Sequence, residues 1–349
     1  MEKGKIKHIY WFAYYKLDSP SVRYRAKYPL EFAKENKDIS SNLITPGYSP
    51  KRLLAFIVGY FSAMFFPKKN SLIVIQRVRS SFIYSNLLKL LVLVRKKRTV
   101  YDIDDADYLE GNPKTIYFFA KHCEKISAGS KQIQKHLSQF NHQIIHTTSP
   151  TVDLKIVKEN RNTIFTIGWI GGFGGDHKNS LIELVFPAIK ELTFHLKFII
   201  LGVLKLEDIE YIKEYFQDNS NIELELPLGI NWNDEVDLQK RITFFDIGIA
   251  TLTNSELQLS KSGIKAKQYM NNGVPVLSTN LPENSSVIVD GSNGYFCNTT
   301  TDYKDRLIQF YEMTDTEFMQ FSKNARKSIS NFDHNKYFEN FEKIKNDLR

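Results

Sequence analysis

FFDIGIATLTNSELQLSKSGIKAKQYMNNGVPVLST, residues 244–279, holds two short apolar runs separated by a polar loop and one helix-length segment. FFDIGIA (244–250) and GVPVLST (273–279) are too short for helices and read as buried strands. The segment 262–272 between them reads as a helix, entered through the polar stretch TLTNSELQLSKSG. Strand, loop, helix and strand in this order describe parallel strands joined by a crossover. The same rhythm extends upstream through NTIFTIGWI (162–170), LKFIILG (196–202) and NIELEL (221–226), with helices at about 178–192, 206–217 and 234–244.

A separate series precedes it. IKHIYWF (6–12), NLITP (42–46), SLIVIQ (71–76), RTVYDI (98–103), KISAG (125–129) and QIIHTT (143–148) read as strands. Helical patterns fall at 25–36, 51–66, 80–95, 113–122 and 130–138. Two alternating series predict two doubly wound α/β domains, each a parallel sheet covered on both faces. The polar stretch TVDLKIVKENRN (151–162) marks the seam. The expected division is 1–155, 156–332 and a C-terminal helix at 333–349 returning toward the first domain. In such sheets ligands bind at the carboxyl ends of the strands, which directs the chemistry to the cleft between the domains.

Composition narrows the class. The 349 residues are 42% apolar and 25% charged, ordinary values for a globular protein. The two cysteines lie far apart, which fits neither a disulfide framework nor a zinc site and points to the cytoplasm. The start, MEKGKIKHIYWF, does not read as a signal peptide, and no apolar run is long enough to span a bilayer. Residues 1–160 carry 27 Lys+Arg against 13 Asp+Glu, whereas residues 161–349 carry 20 against 26. The basic half is expected to meet something anionic; a nucleic acid is disfavoured because no recognition module is present.

Five features carry candidate chemistry. TIGWIGGFGGDHKNS (166–180) ends a strand in a glycine-rich loop, with Lys178 and Asn179 opening a helix. Backbone amides around Gly171 and Gly172, with a helix N-terminus, suit a diphosphate, although neither the Walker nor the GxGxxG spacing is present. Ser262 and Gly263 start a second helix, with Lys261, Lys265 and Lys267 clustered on its first turn. Cations are unfavourable there unless an anion offsets them. RTVYDIDDADY (98–108) brings Asp102, Asp104 and Asp105 to a strand end; the alternatives are a metal pair, a cleft carboxylate or a solvated turn. Arg23 and Arg25 follow the first strand, at the expected acceptor edge. The helix at 51–69, apolar nearly all round with basic pairs at its ends, is either buried core or an interfacial helix against anionic lipid. The second alternative predicts salt-sensitive binding to anionic vesicles through 51–69 and 95–98.

The segment KSGIKAKQYMNNGVPVLSTNLPENSSVIVDGSNGYF (261–296) resembles the donor-binding half of a GT-B glycosyltransferase and is most similar to family 4. The resemblance rests on Gly273-Val274-Pro275-Val276, on Asp290-Gly291-Ser292-Asn293-Gly294, and on the strand–GGFGGDHKN loop. It implies a retaining, metal-independent sugar transfer without a cofactor, from a nucleotide diphosphate sugar to a glycan or polyprenyl-linked acceptor. Such a reaction belongs to cell-surface polysaccharide or glycoconjugate synthesis, in the cytoplasm or on the inner face of the cell membrane. It implies donor contacts from Gly171, Gly172, Lys178, Asn179, Lys261, Ser262, Gly263, Gln268 and Asn284, with Lys265 and Asp104 as catalytic groups. Arg23, Arg25 and Asp105 fall on the acceptor side. The family's two glutamates are replaced by Ser260 and Gln268, and its loop arginine by Gly172. A catalytically impaired nucleotide-sugar-binding protein and a metal-dependent transferase using Asp102 and Asp104 are therefore the rival readings.

Overall fold

The computed structural model describes residues 5–47, 49–79 and 82–346. The first four residues, positions 80–81 of the 80–95 helix and positions 347–349 of the tail lie outside them. Contacts divide the chain into two units. Unit 1 runs to Val152 and takes in Ser260–Ser262 and the chain from Phe332; unit 2 is Asp153–Leu259 with Gly263–Asn331.

The sheet of unit 1 contains β1 (His8–Ala13), β2 (Ser40–Ile44), β3 (Ser71–Gln76), β4 (Thr99–Ile103), β5 (Lys125–Ala128) and β6 (Ile144–His146). Their order is β2-β1-β3-β4-β5-β6, all parallel. The strand order reverses between β1 and β3, so their carboxyl ends frame the ligand crevice of this unit. The helix His334–Asn346 packs here, with Tyr337, Phe338 and Phe341 in the same core cluster as Trp11 and Val74.

Unit 2 contains β7 (Phe165–Ile170), β8 (Leu196–Leu201), β9 (Ile222–Glu225), β10 (Ile247–Ala250), β11 (Val276–Ser278) and β12 (Gly294–Phe296). The order is β12-β11-β10-β7-β8-β9, again parallel, with its switch point between β7 and β10. Two glycines inside strands make room for rings: a Cβ on Gly168 would lie 2.0 Å from Phe245, and one on Gly248 would lie 2.4 Å from Tyr269. The helix Ile264–Asn271 ends in a Schellman motif. Gly273 takes φ +71°, its N–H bonds Met270 O at 3.0 Å, and Val274 N–H bonds Tyr269 O at 3.0 Å. β12 is not among the strands read from the sequence, where DGSNG stands only as part of the family resemblance. Gly294 allows the pairing: a Cβ there would sit 2.3 Å from Val276 O.

The Pro50–Phe65 helix is not buried core. Gly59, Tyr60, Ala63 and Met64 face inward, while Leu53, Leu54, Ile57, Val58, Phe61 and Phe65 are exposed.

Candidate functional site

The carboxyl edge of unit 2 is built around two glycines that touch. Gly171 leaves β7 at φ +147°, and its N–H bonds Leu201 O at 3.0 Å. Gly202, at the end of β8, takes φ +114°; a Cβ there would meet Gly171 O at 1.9 Å. Neither backbone could be held so closely by another residue. Beyond them, Gly172, Gly174 and Gly175 have no atom within 4 Å of a notional Cβ, so this stretch of backbone is open to close approach. The following helix, Gly175–Ser180, has Gly174 as N-cap and no side-chain cap, which leaves its first amides available.

Lys265 lies across this loop. A Cβ on Gly171 would fall 3.1 Å from Lys265 Nζ, and the ammonium sits 3.0 Å from His177 Nδ1 and 4.8 Å from the Trp169 ring centroid. His177 was missed by sequence reading; its position two residues after Gly175 was the available signal. Asp176 accepts a hydrogen bond from Gln258, tying the loop after β7 to the short helix after β10.

Lys178 is placed differently from expectation. Its Nζ donates to Asp208 Oδ1 at 2.5 Å, so its charge is already matched by a carboxylate. Asn179, on the same turn, is exposed. Gly263 is the N-cap of Ile264–Asn271 at φ +64°, with no side-chain cap, and a Cβ on it would reach Asn284 Oδ1 at 2.8 Å. Asn284 is buried and fixed by its Nδ2, which donates to Ser278 Oγ at 2.6 Å and to Thr279 O at 3.2 Å. Gln268 is half-buried, one helical turn beyond Lys265. Tyr269 fixes this helix: its hydroxyl accepts from Ile170 N–H at 2.9 Å and donates to Ile249 O at 3.1 Å.

The carboxyl edge of unit 1 is an ionic network centred on Arg77, also missed from the sequence. Arg77 follows β3 directly, at the switch point, and holds φ +51°, uncommon for a residue other than glycine. Its guanidinium forks onto Asp107 at 2.8 and 2.7 Å and reaches Asp105 at 2.8 Å and Asp104 at 3.5 Å. Asp104 also accepts from Ser21 Oγ at 2.7 Å. Burial pushes the Asp104 carboxyl above its usual range despite Arg77. Burial acts the same way on Asp105, but Arg77 and Lys261 outweigh it and hold that carboxyl low. Lys261, which groups with this unit, donates to Asp105 Oδ1 at 3.0 Å. Ser262 is buried beside it in sequence.

Two acceptor-side expectations are corrected. Arg25 is fully buried and engages Asp102 through Nε at 2.9 Å and Nη2 at 2.5 Å, and Thr147 O through Nη1 at 2.7 Å. Burial works against its charge, yet Asp102 raises it above the ordinary arginine range. Arg25 therefore joins β4, the residue after β6 and the C-terminal helix, whose Tyr337 hydroxyl donates to Arg25 O at 2.7 Å. Both Asp102 oxygens are taken, Oδ1 also accepting from Ser127 at 2.7 Å, so Asp102 is not placed as a metal ligand. Arg23 is buried as well, its guanidinium 5.3 Å from the Tyr24 ring centroid.

A comparison with curated proteins finds no match for this sequence. Among solved structures, the chain is similar to HepE from Anabaena in complex with UDP, at 11% identity and TM-score 0.66, covering 96% of this chain and 98% of that one. It is similar to a glycosyltransferase from Rickettsia africae at 12% identity and TM-score 0.69, over 99% of both chains. A TarM variant from S. aureus, in complex with fondaparinux, alpha-GlcNAc-glycerol and UDP, matches at 17% identity and TM-score 0.59, over 84% of this chain and 59% of that one. At such identities these likenesses show the fold. Residues 164–313, which include the glycine loop, the Lys265 helix and the DGSNG turn, match the family described as Glycosyl transferases group 1. Residues 164–313 thus carry a group 1 glycosyltransferase domain, and the pair of doubly wound sheets has the GT-B fold of the solved glycosyltransferases.

Proposed function

We propose that this enzyme transfers a sugar from a nucleotide diphosphate donor to a saccharide or lipid-linked acceptor, with retention at the anomeric carbon. The observation that carries the donor assignment is the open backbone at Gly172, Gly174 and Gly175 with the Lys265 ammonium beside Gly171. Uncapped amides and one cation are what a departing diphosphate needs, because they stabilise charge that grows as the glycosidic bond breaks. Lys265 is the better candidate for that cation than Lys178, whose charge faces Asp208. Gln268 would hold the ribose through its amide oxygen, a weaker acceptor than a carboxylate. HepE was solved with UDP and with UDP-glucose, which favours a uridine donor as the first to test.

Asp104 is assigned to the sugar or the acceptor hydroxyl. It follows β4 at the carboxyl edge of unit 1, where Ser21 Oγ and Arg77 hold its carboxyl in place. The acceptor would attack the face from which the nucleotide leaves, with a donor phosphate oxygen taking its proton. The chain's own residues then supply binding, orientation and charge stabilisation.

The direct test is incubation with single nucleotide sugars and measurement of the free nucleoside diphosphate released. Release from one donor, faster with a glycan or polyprenyl-phosphate acceptor, supports the reading. Tight donor binding without release would favour the impaired binding protein instead.

A further inference from the structure

From Ile39 to Tyr101 the chain contains eleven Lys and Arg and no Asp or Glu. Two of its helices, Pro50–Phe65 and Phe82–Arg95, lie side by side. Phe56 meets Tyr84 with ring centroids 5.2 Å apart, the Tyr60 hydroxyl donates to Leu87 O at 3.0 Å, and Arg95 Nε donates to Met64 O at 2.7 Å. These three contacts advance together along both helices, so the helices run parallel and end at the same place. On the first, Leu54, Val58, Phe61 and Phe65 form one outward row at helical spacing. On the second, Ile83, Leu90 and Val94 do the same, beginning at Phe82, which is 85% exposed.

Twelve of the twenty-four exposed large hydrophobic side chains among the described residues belong to these helices or to Phe66 beside them. Scattered exposed apolar residues need no explanation, but a concentration of this kind does. Where the helices end together, Lys68, Lys69, Lys96 and Lys97 are exposed. Arg95 and Arg98 turn back onto the carbonyls of Met64 and Lys68.

We infer that this two-helix face docks on an anionic membrane surface, its apolar rows entering the headgroup boundary and its lysines meeting lipid phosphates. Charge complementarity selects the occupant. A second copy docked by the same face would bring two sets of lysines together, and neither helix carries a carboxylate to pair with them. A nucleic acid would have no use for the phenylalanine and leucine rows. The helices lie on the bilayer without crossing it: a 16-residue helix is about 24 Å long, against about 30 Å of hydrocarbon, and no helix among the described residues is long and apolar enough to span. Interfacial helices of this composition combine buried apolar area with attraction to anionic lipid.

The inference goes beyond sugar transfer, and its test contains no donor, so either can fail alone. The full chain is sedimented with vesicles of phosphatidylcholine with and without phosphatidylglycerol, at low and high salt. The wild type is expected in the pellet with phosphatidylglycerol at low salt, and largely released by salt. A variant carrying Lys68→Gln, Lys69→Gln, Lys96→Gln and Lys97→Gln is expected to bind at least about a hundredfold more weakly, since each basic residue near the surface contributes about fivefold. A second variant, Leu54→Ser with Phe61→Ser and Leu90→Ser, is expected to lose binding while keeping its melting temperature. Wild type in the supernatant at low salt overturns the inference, as does undiminished binding by the lysine variant. So does elution as a dimer that the serine variant converts to a monomer, because a second copy would then cover the face.

Discussion

Lys265 Nζ and His177 Nδ1 stand 3.0 Å apart beneath the open glycine loop of unit 2. A lysine ammonium only donates, so Nδ1 accepts and the ring proton belongs on Nε2. The Trp169 face contributes a second attraction to the same ammonium. A long, rotamer-rich side chain is thereby held in one place beside Gly171, which lowers the entropy lost when an anion binds.

The loop separates fold from binding at two glycines. Gly202→Ala puts a Cβ 1.9 Å from Gly171 O at a φ of +114°, and is expected to destabilise the protein by about 1–3 kcal/mol and disorganise the loop. Gly172→Ala meets nothing within 4 Å, so its melting temperature is expected to stay at the wild-type value while donor affinity falls. Thermal melts and donor titrations of both variants check the contrast. Unchanged donor affinity in Gly172→Ala would show that no ligand approaches this backbone closely.

Gln268→Glu replaces the amide proposed to hold the ribose with a carboxylate. The variant is expected to bind nucleoside diphosphates more tightly through charge-assisted hydrogen bonds to the ribose. Calorimetric titration measures this, and a large loss of affinity would mean that the ribose is held elsewhere.

Asp102 and Asp104 are two residues apart and are expected to fail in opposite ways. Asp102→Asn leaves the buried Arg25 charge without its counterion and is expected to cost about 3–5 kcal/mol of stability. Asp104→Asn removes a carboxyl whose charge burial already disfavours, so stability is expected to hold. Its kcat/KM is expected to fall by about 10–100-fold, the loss of one charge-assisted hydrogen bond that orients the sugar or the acceptor hydroxyl. Denaturant melts and initial rates on both variants decide; a stable, fully active Asp104→Asn removes that residue from the mechanism.

His334 gives the C-terminal helix a pH dependence. Burial, opposed by Asp333, pushes its imidazole down from 6.5 to about 4. Between these values the unfolded chain takes up a proton that the native state refuses, so stability falls as pH drops from 6.5 toward 4. The loss is at most about 3 kcal/mol. His334→Gln is expected to flatten that part of the stability curve, and denaturant melts across the interval measure it. An unchanged slope would assign the acid sensitivity to other groups.

Much of this was legible in the sequence, and the gaps have physical reasons. SLIVIQ gives β3 residue for residue, because an apolar run of that length bounded by polar residues has few other solutions. The glycine-rich composition of 171–175 pointed to the open backbone found at the carboxyl edge of unit 2. Lys178 was read as a phosphate cation because nothing local reveals Asp208, thirty positions away on another helix. Arg77 was missed for the same reason: its carboxylates lie on the chain after β4, and only the strand order brings them together. The Pro50–Phe65 helix is apolar nearly all round, and a pattern without a polar face cannot say which side is covered.

The central claim, a donor diphosphate held by the Gly171–Gly175 backbone and Lys265, is tested most directly by thermal shift with a panel of nucleoside diphosphates and their sugars, on wild type and Lys265→Ala. Ligands that bind only the folded state raise its melting temperature. At least one nucleoside diphosphate or its sugar is expected to stabilise the wild type, and Lys265→Ala to weaken that ligand by about 1.5–3 kcal/mol. No shift with any ligand, or the same affinity in Lys265→Ala, would contradict it.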